Sequence, residues 1–118
     1  MIDKTKMRKE SKYELLLYEQ LEQEDLHHGI EWQGMVHEHK VDFVYRGLKI
    51  AIEVQGGTQG YGRGRGGHVR EPGYSEDRRF SNTMQKEGWW VLEYSVPMIN
   101  SEEALKDIRD ALRKRQKR

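Results

Sequence analysis

Two carboxylates in this chain are spaced for metal chemistry. In VDFVYRGLKIAIEVQ, residues Val41 to Gln55, one apolar run carries Asp42, Gly47-Leu48 offers a two-residue turn, and a second run carries Glu53. With glycine in the first central position, as a type II′ turn requires, antiparallel pairing sets Arg46 opposite Lys49 and Asp42 opposite Glu53. Directly opposed residues share a face with their Cβ atoms about 5 Å apart, so the two acids converge, and Gln55 lies on the same face. The other face carries Val41, Phe43, Tyr45, Ile50, Ile52 and Val54 as the core side of the sheet. Opposed acids repel when both are ionised, and a cation between them removes the penalty. Hard oxygen donors suit Mg²⁺ or Mn²⁺, with waters completing the shell. The competing reading is an ordinary solvent-facing pair, although an exposed hairpin is better served by an acid opposite a base.

The residues that follow add the chemistry of phosphate binding. Eight glycines fall between Gly56 and Gly73, interleaved with Arg63, Arg65 and Arg70, and Arg78, Arg79 and Lys86 come soon after. Glycines let backbone amides approach phosphates and the arginines supply charge, so this segment, about residues 56–73, reads as a flexible nucleic-acid loop. His68 within it could accept a proton or hold a phosphate; a solvent-exposed bystander is the alternative. The net charge of +1 conceals segregation. Lys4, Lys6, Arg8, Lys9 and Lys12 crowd a basic segment at 1–10 and just beyond, while Arg109, Arg113, Lys114, Arg115, Lys117 and Arg118 crowd the other end. Such clustering attracts phosphates, or else merely solubilises two tails. His37 and His39 could bind zinc with His27 or His28, but without cysteines or a second spaced pair the signal is weak. Of Trp89 and Trp90, successive strand positions send one to the core and leave the other available for stacking.

These groups need elements to hold them. Ser11 to Leu26 reads as an amphipathic helix with a Ser11–Glu14 capping box. Glu31 to His37, Lys40 to Arg46 and Leu48 to Gln55 read as strands, Ser75 to Glu87 as a helix stopped by Gly88, WWVLEYS as a strand, and the stretch from Asn100 or Ser101 to the basic tail, about 101–118, as a helix. The order helix, three strands, helix, strand, helix is that of an α/β or α+β fold. A chain of 118 residues makes one domain, 1–118. With 35% of its residues charged it has a modest core, which a second copy could complete. The absence of cysteine excludes disulfides and thiolate metal sites and fits a reducing compartment. A charged N-terminus and the lack of a long apolar stretch point to a soluble, cytoplasmic protein with no membrane partner.

Val41-Asp42-Phe43, then Ile50 to Gly57 (IAIEVQGG), the glycine-rich stretch with His68, then Asp77, Asn82, Gly88-Trp89 and Val91-Leu92 together resemble the PD-(D/E)XK nuclease superfamily. The pattern is most similar to the small single-domain nucleases of the very-short-patch-repair and phage types, over about Ser11 to Ser95. The resemblance implies a restriction-endonuclease-like αβββαβ core, a mixed sheet flanked by helices. It also implies a Mg²⁺- or Mn²⁺-dependent endonuclease acting on DNA, whether branched DNA as a Holliday-junction resolvase does or by a nicking or homing-type activity. A homodimer without a small-molecule cofactor, phage-encoded and working inside a bacterial host, fits the same resemblance. Carried over by position, Asp42 and Glu53 would be the metal carboxylates, the Val54 carbonyl a third ligand, and Glu14 an accessory acid. Gln55 would stand where the signature lysine stands, able to donate a hydrogen bond but bringing no charge. Arg63, Arg65, Arg78, Arg79 or Lys86 could replace that charge, and Arg70, Arg113, Lys114 and Arg115 extend the nucleic-acid contacts. The alternative is a catalytically weak nucleic-acid-binding module that has lost the lysine.

Overall fold

The alternating apolar runs pair as the sequence requires. Phe43 lies opposite Ile52, Val44 opposite Ala51 and Tyr45 opposite Ile50, the register expected for a hairpin centred on Gly47-Leu48. The turn itself differs. Arg46–Leu48 form a short 3₁₀ turn, Lys49 takes the left-handed conformation at φ 58° and ψ 49°, and its N–H donates to the Arg46 carbonyl at 3.2 Å. The loop thus has four residues rather than two. It is centred on the same point, so the strand register is unchanged.

The computed structural model describes residues 2–55 and 71–117, the side chains of 71–76 excepted. His68, Arg63, Arg65, Arg70 and the glycines between them lie outside the described residues. Four strands, β1 (Ile30–Val36), β2 (His39–Tyr45), β3 (Ile50–Gln55) and β4 (Trp90–Ser95), form one mixed sheet in the order β1-β2-β3-β4. The first three are antiparallel, and β4 runs parallel to β3, setting Ile50 beside Trp90 and Gln55 beside Ser95. The helices are α1 (Lys4–Glu10), α2 (Lys12–Gln23), α3 (Glu71–Lys86), α4 (Val96–Asn100) and α5 (Glu103–Gln116). Parallel strands need a crossover, and α3 lies within it. None of the described helices is long and apolar enough to cross a membrane.

Both faces of the sheet are covered, as a mixed sheet with a parallel pair demands. Phe43, Tyr45, Ile50, Ile52 and Tyr94 join Leu17, Leu21, Ile99 and Ile108 in the larger core cluster. Val36, Val44, Ala51, Met84 and Trp89 form the smaller one, with Phe80 and Val91 packed against it. Val41 was expected beside Phe43 but belongs to the smaller cluster. The ladder pairs Trp32 with Phe43 and Gly34 with Val41 but not Gln33 with Asp42, and Gln33 has φ +57°. A left-handed residue inside a strand interrupts the pleat. Strand alternation therefore breaks at the acidic residue.

Both basic ends are structural. Asp3 accepts hydrogen bonds from the Thr5 and Lys6 N–H groups at 3.0 and 3.2 Å and starts α1, which inserts Met7 fully into the core. Ser11 closes α1 and caps α2, accepting from the Glu14 N–H at 3.3 Å. Ser95 caps α4 by accepting from the Met98 N–H. In α5, Ala104, Leu105, Ile108, Ala111 and Leu112 are buried at helical spacing, so the basic residues occupy only its outer side.

Candidate active site

Asp42 sits where β2 and β3 stop pairing beyond Phe43 and Ile52. Its Oδ2 accepts the Val54 N–H at 2.7 Å, so a side chain takes the place of a ladder carbonyl and the carboxylate is fixed across the strand gap. Glu53, the preceding residue of β3, is close enough to share a hydrogen bond with Asp42, and its carboxyl is pushed up to about 8. Burial is the largest cause, followed by the charge of Asp42, that of Glu93, the hydrogen bond with Asp42, and the charge of Asp77. Glu93 reaches this position because the parallel register sets it directly beside Glu53.

Glu14 approaches from α2. It is the one buried charged residue among the described side chains, 8% exposed, and Trp32 Nε1 donates to its Oε1 at 2.6 Å. Burial first, and then the charge of Asp42, raise its carboxyl to about 7, against the pull of the Trp32 hydrogen bond. The expected capping box is half made. The Ser11 N–H donates to the Met7 carbonyl at 2.7 Å instead of to Glu14. The Glu14 carboxylate is thereby freed from the Ser11 N–H and meets Trp32, Asp42 and the Ser11 side chain.

Asp42 thus stands between Glu14 and Glu53 at one end of the sheet, hydrogen-bonded to each, with Glu93 and Asp77 near Glu53. The charges that shift Glu53 are Asp42, Glu93 and Asp77, all negative. Like-charged carboxylates in a desolvated cluster retain protons unless a cation is supplied. An all-oxygen donor set with surplus negative charge fits a hard divalent ion. Asp42, Glu53, the Val54 carbonyl and Glu14 are the groups that could hold it.

The other candidate residues divide between the two ends of the sheet. Gln55 is exposed at the end of β3, two residues beyond Glu53. Arg78 and Arg79 follow Asp77 on α3, both exposed. Lys86, the last residue of α3, lies about 13 Å farther along the helix axis than Asp77. There the chain enters β4: Lys49 Nζ donates to the Glu87 carbonyl at 3.0 Å and Arg115 to the Gly88 carbonyl at 2.6 Å. The Arg115 guanidinium also lies 4.0 Å from the Trp90 ring centre. Arg115 and Lys86 therefore stand at the end opposite the acids, as do Arg113 and Lys114 in the last turn of α5 with Arg115; Lys114 pairs with Asp110 at 3.3 Å. Trp89 is buried and Trp90 is 38% exposed, the expected division, but the exposed ring is already stacked by Arg115. His37 bonds Glu87 at 2.6 Å and His39 stacks on Phe80 at 4.2 Å, so neither joins His27 or His28.

Trp32 and Glu93 were not foreseen. Glu93 could have been found by sliding WWVLEYS along IAIEVQ as a parallel pair. Nothing in the local sequence marks Trp32.

No protein-family model matches the chain, and no curated protein matches it. Among solved structures the chain is similar to the catalytic domain of the homing endonuclease I-Bth0305I, with a TM-score of 0.65 and 20% identity over 87% of this chain and 95% of that one. At this identity the likeness is one of fold: a mixed four-stranded sheet with flanking helices, in the α+β arrangement of a homing endonuclease catalytic domain.

Proposed function

We propose that the chain is a divalent-metal-dependent endonuclease of the PD-(D/E)XK type that hydrolyses phosphodiester bonds in DNA. The observation that carries this reading is the convergence of Glu14, Asp42 and Glu53 at one end of a sheet whose fold is that of a homing endonuclease catalytic domain.

Asp42, Glu53 and the Val54 carbonyl would hold Mg²⁺ or Mn²⁺, with Glu14 as an accessory acid. When bound, the cation supplies polarisation of the phosphodiester and lowers the pKa of nearby water. The chain's own groups position these parts. The Val54 N–H fixes Asp42 and the Trp32 indole fixes Glu14, so the donors are oriented before substrate arrives. Water adds to phosphorus, the P–O bond to the leaving oxygen breaks, and that oxygen takes up a proton. Gln55 donates a hydrogen bond to the charge developing on the phosphate. Arg78 and Arg79, on the helix that brings Asp77 near Glu53, supply positive charge with Arg63, Arg65 and Arg70 of the glycine-rich segment; His68 of that segment serves as proton acceptor.

Incubation with supercoiled, linear and branched DNA, in Mg²⁺ and in EDTA, tests the proposal. Metal-dependent nicking or cutting that disappears in Asp42→Ala and Glu53→Ala, with DNA binding retained, supports it. The second reading rests on Gln55: binding without cleavage in either Mg²⁺ or Mn²⁺ would select a nucleic-acid-binding module. Cleavage confined to RNA in a parallel arm would change the substrate class.

A further inference from the structure

The turn between α2 and β1 gathers a different set of ligands. One ligand atom from each of Asp25, His27 and His28 lies within 4.8 Å of the other two. The Asp25 Oδ1 to His28 Nε2 distance is 2.6 Å, and the two imidazole ring centres are 4.3 Å apart. Nδ1 of His27 is shielded from solvent and has no hydrogen-bond partner, an unusual condition for a polar ring nitrogen.

The segment that carries these groups is held on both sides. The Asp25 N–H donates to the Glu22 carbonyl at 3.0 Å and the Leu26 N–H to the Leu21 carbonyl at 2.8 Å. The Leu26 carbonyl accepts from the Tyr45 hydroxyl at 2.7 Å, and the Ile30 N–H donates to the His27 carbonyl at 3.2 Å. The His27 ring meets Tyr18 edge to face at 6.1 Å. Asp25 is left-handed at φ +62°, a conformation that aspartate tolerates and that folds the chain back over the histidines. The ligands thus stand on a braced turn.

We propose that Asp25, His27 and His28 form a second metal site, independent of the acids at the end of β3, that takes a borderline transition-metal ion such as Zn²⁺. Two imidazoles and one carboxylate suit Zn²⁺ and its neighbours in preference to Mg²⁺, which favours an all-oxygen shell. Three protein ligands leave the fourth tetrahedral position to water. Such an ion ties the end of α2 to the start of β1, next to the Tyr45 hydroxyl contact and away from Glu53 at the far end of the same hairpin.

The test is a calorimetric titration of the full-length, metal-stripped protein with Zn²⁺ in millimolar Mg²⁺, repeated with Co²⁺ for its visible absorption. The expected result is one equivalent bound, with affinity reduced by more than about tenfold in His28→Gln and in Asp25→Asn. Affinity in the Asp42→Asn, Glu53→Gln double variant should be unchanged. Imidazole ¹H–¹⁵N spectra of the unmodified protein add a readout free of substitution: the His27 and His28 ring signals should move on adding Zn²⁺ while those of His37 and His39 stay. The proposal is overturned if no saturable one-equivalent binding occurs in the presence of Mg²⁺. It is equally overturned if both single variants bind as the unmodified protein does, or if the double variant abolishes the site. Because the readout is Zn²⁺ binding, its failure leaves the nuclease reading untouched, and a chain without nuclease activity could still pass.

Discussion

Strands β3 and β4 lie side by side for six residues, and their two ends are built on opposite principles. At the Ile50–Trp90 end, two cations are held by specific partners. Lys49 and Arg115 cap the carbonyls of Glu87 and Gly88, and the Arg115 guanidinium stacks on Trp90. Cations at a helix C-terminus also oppose its dipole. At the Glu53–Glu93 end, acid faces acid, and burial and mutual repulsion push Glu53 and Glu14 up to about 8 and about 7. A fold under no other demand would neutralise both ends. The acidic end carries a surplus of like charge that the other end, three residues away along the same strands, does not.

Four substitutions or conditions test that contrast, beginning with the largest effect. Asp42→Ala or Glu53→Ala should lower single-turnover DNA cleavage at least about 10²-fold while DNA binding persists; near-normal cleavage would remove the functional meaning of the acidic end. Trp32→Phe deletes the hydrogen bond to Glu14 and keeps most of the ring's bulk, so cleavage should fall about tenfold with little change in thermal stability. A large loss of melting temperature with unaltered cleavage would make Trp32 a packing residue only.

The third test is pH. Glu53 and Glu14 have folded-state values above that of an unfolded glutamate, so the native chain binds more protons than the unfolded one between the two values. Stability therefore falls as pH rises from about 4.5 towards 8 in EDTA. Melting curves should show this decline, Glu53→Gln should flatten it, and Mg²⁺ should offset it; a metal-free melting temperature that rises over this window contradicts the assignment. The smallest effect is expected at the opposite end. Arg115→Ala removes the stacking on Trp90 and the cap on the Gly88 carbonyl, contacts worth about 1 kcal/mol visible in denaturant melts, with cleavage rates unaltered. A cleavage defect equal to that of Asp42→Ala would mean that the two ends do not differ in kind.

How much of this was readable depends on whether the relevant contact repeats along the chain. The Phe43–Ile52 register was legible because two apolar runs of period two flank Gly47, and a centred loop of either length gives the same opposed pairs. The stop at Gly88, φ +87°, was legible because glycine favours that conformation. Helix α1 was not, since Met7 is its only buried residue amid lysines and arginines, too little for a periodic signal. The left-handed Gln33 and the resulting place of Val41 depend on strain at a non-glycine residue, which residue type does not announce. Asp42 and Glu53 were expected as opposed residues of one hairpin; the ladder ends one pair earlier, at Phe43 and Ile52, and Asp42 bonds the Val54 N–H instead. Their neighbour Glu93 needed a parallel register, and the Trp32–Glu14 bond needed α2 packed on the sheet. Glu14 serves both local and distant contacts, touching Ser11 at the start of α2 and Asp42 across the fold, and only the first of these is written in the local sequence.

The 2.6 Å contact between the Trp32 indole and Glu14 makes the chain its own optical probe. Indole emission responds to the electric field across the ring, and here that field is set by a carboxylate two hydrogen-bond steps from Glu53. Proton release or ion capture among the acids should shift the Trp32 emission without any attached label. Trp89 and Trp90, at the far end of the sheet, supply an internal reference in the same spectrum.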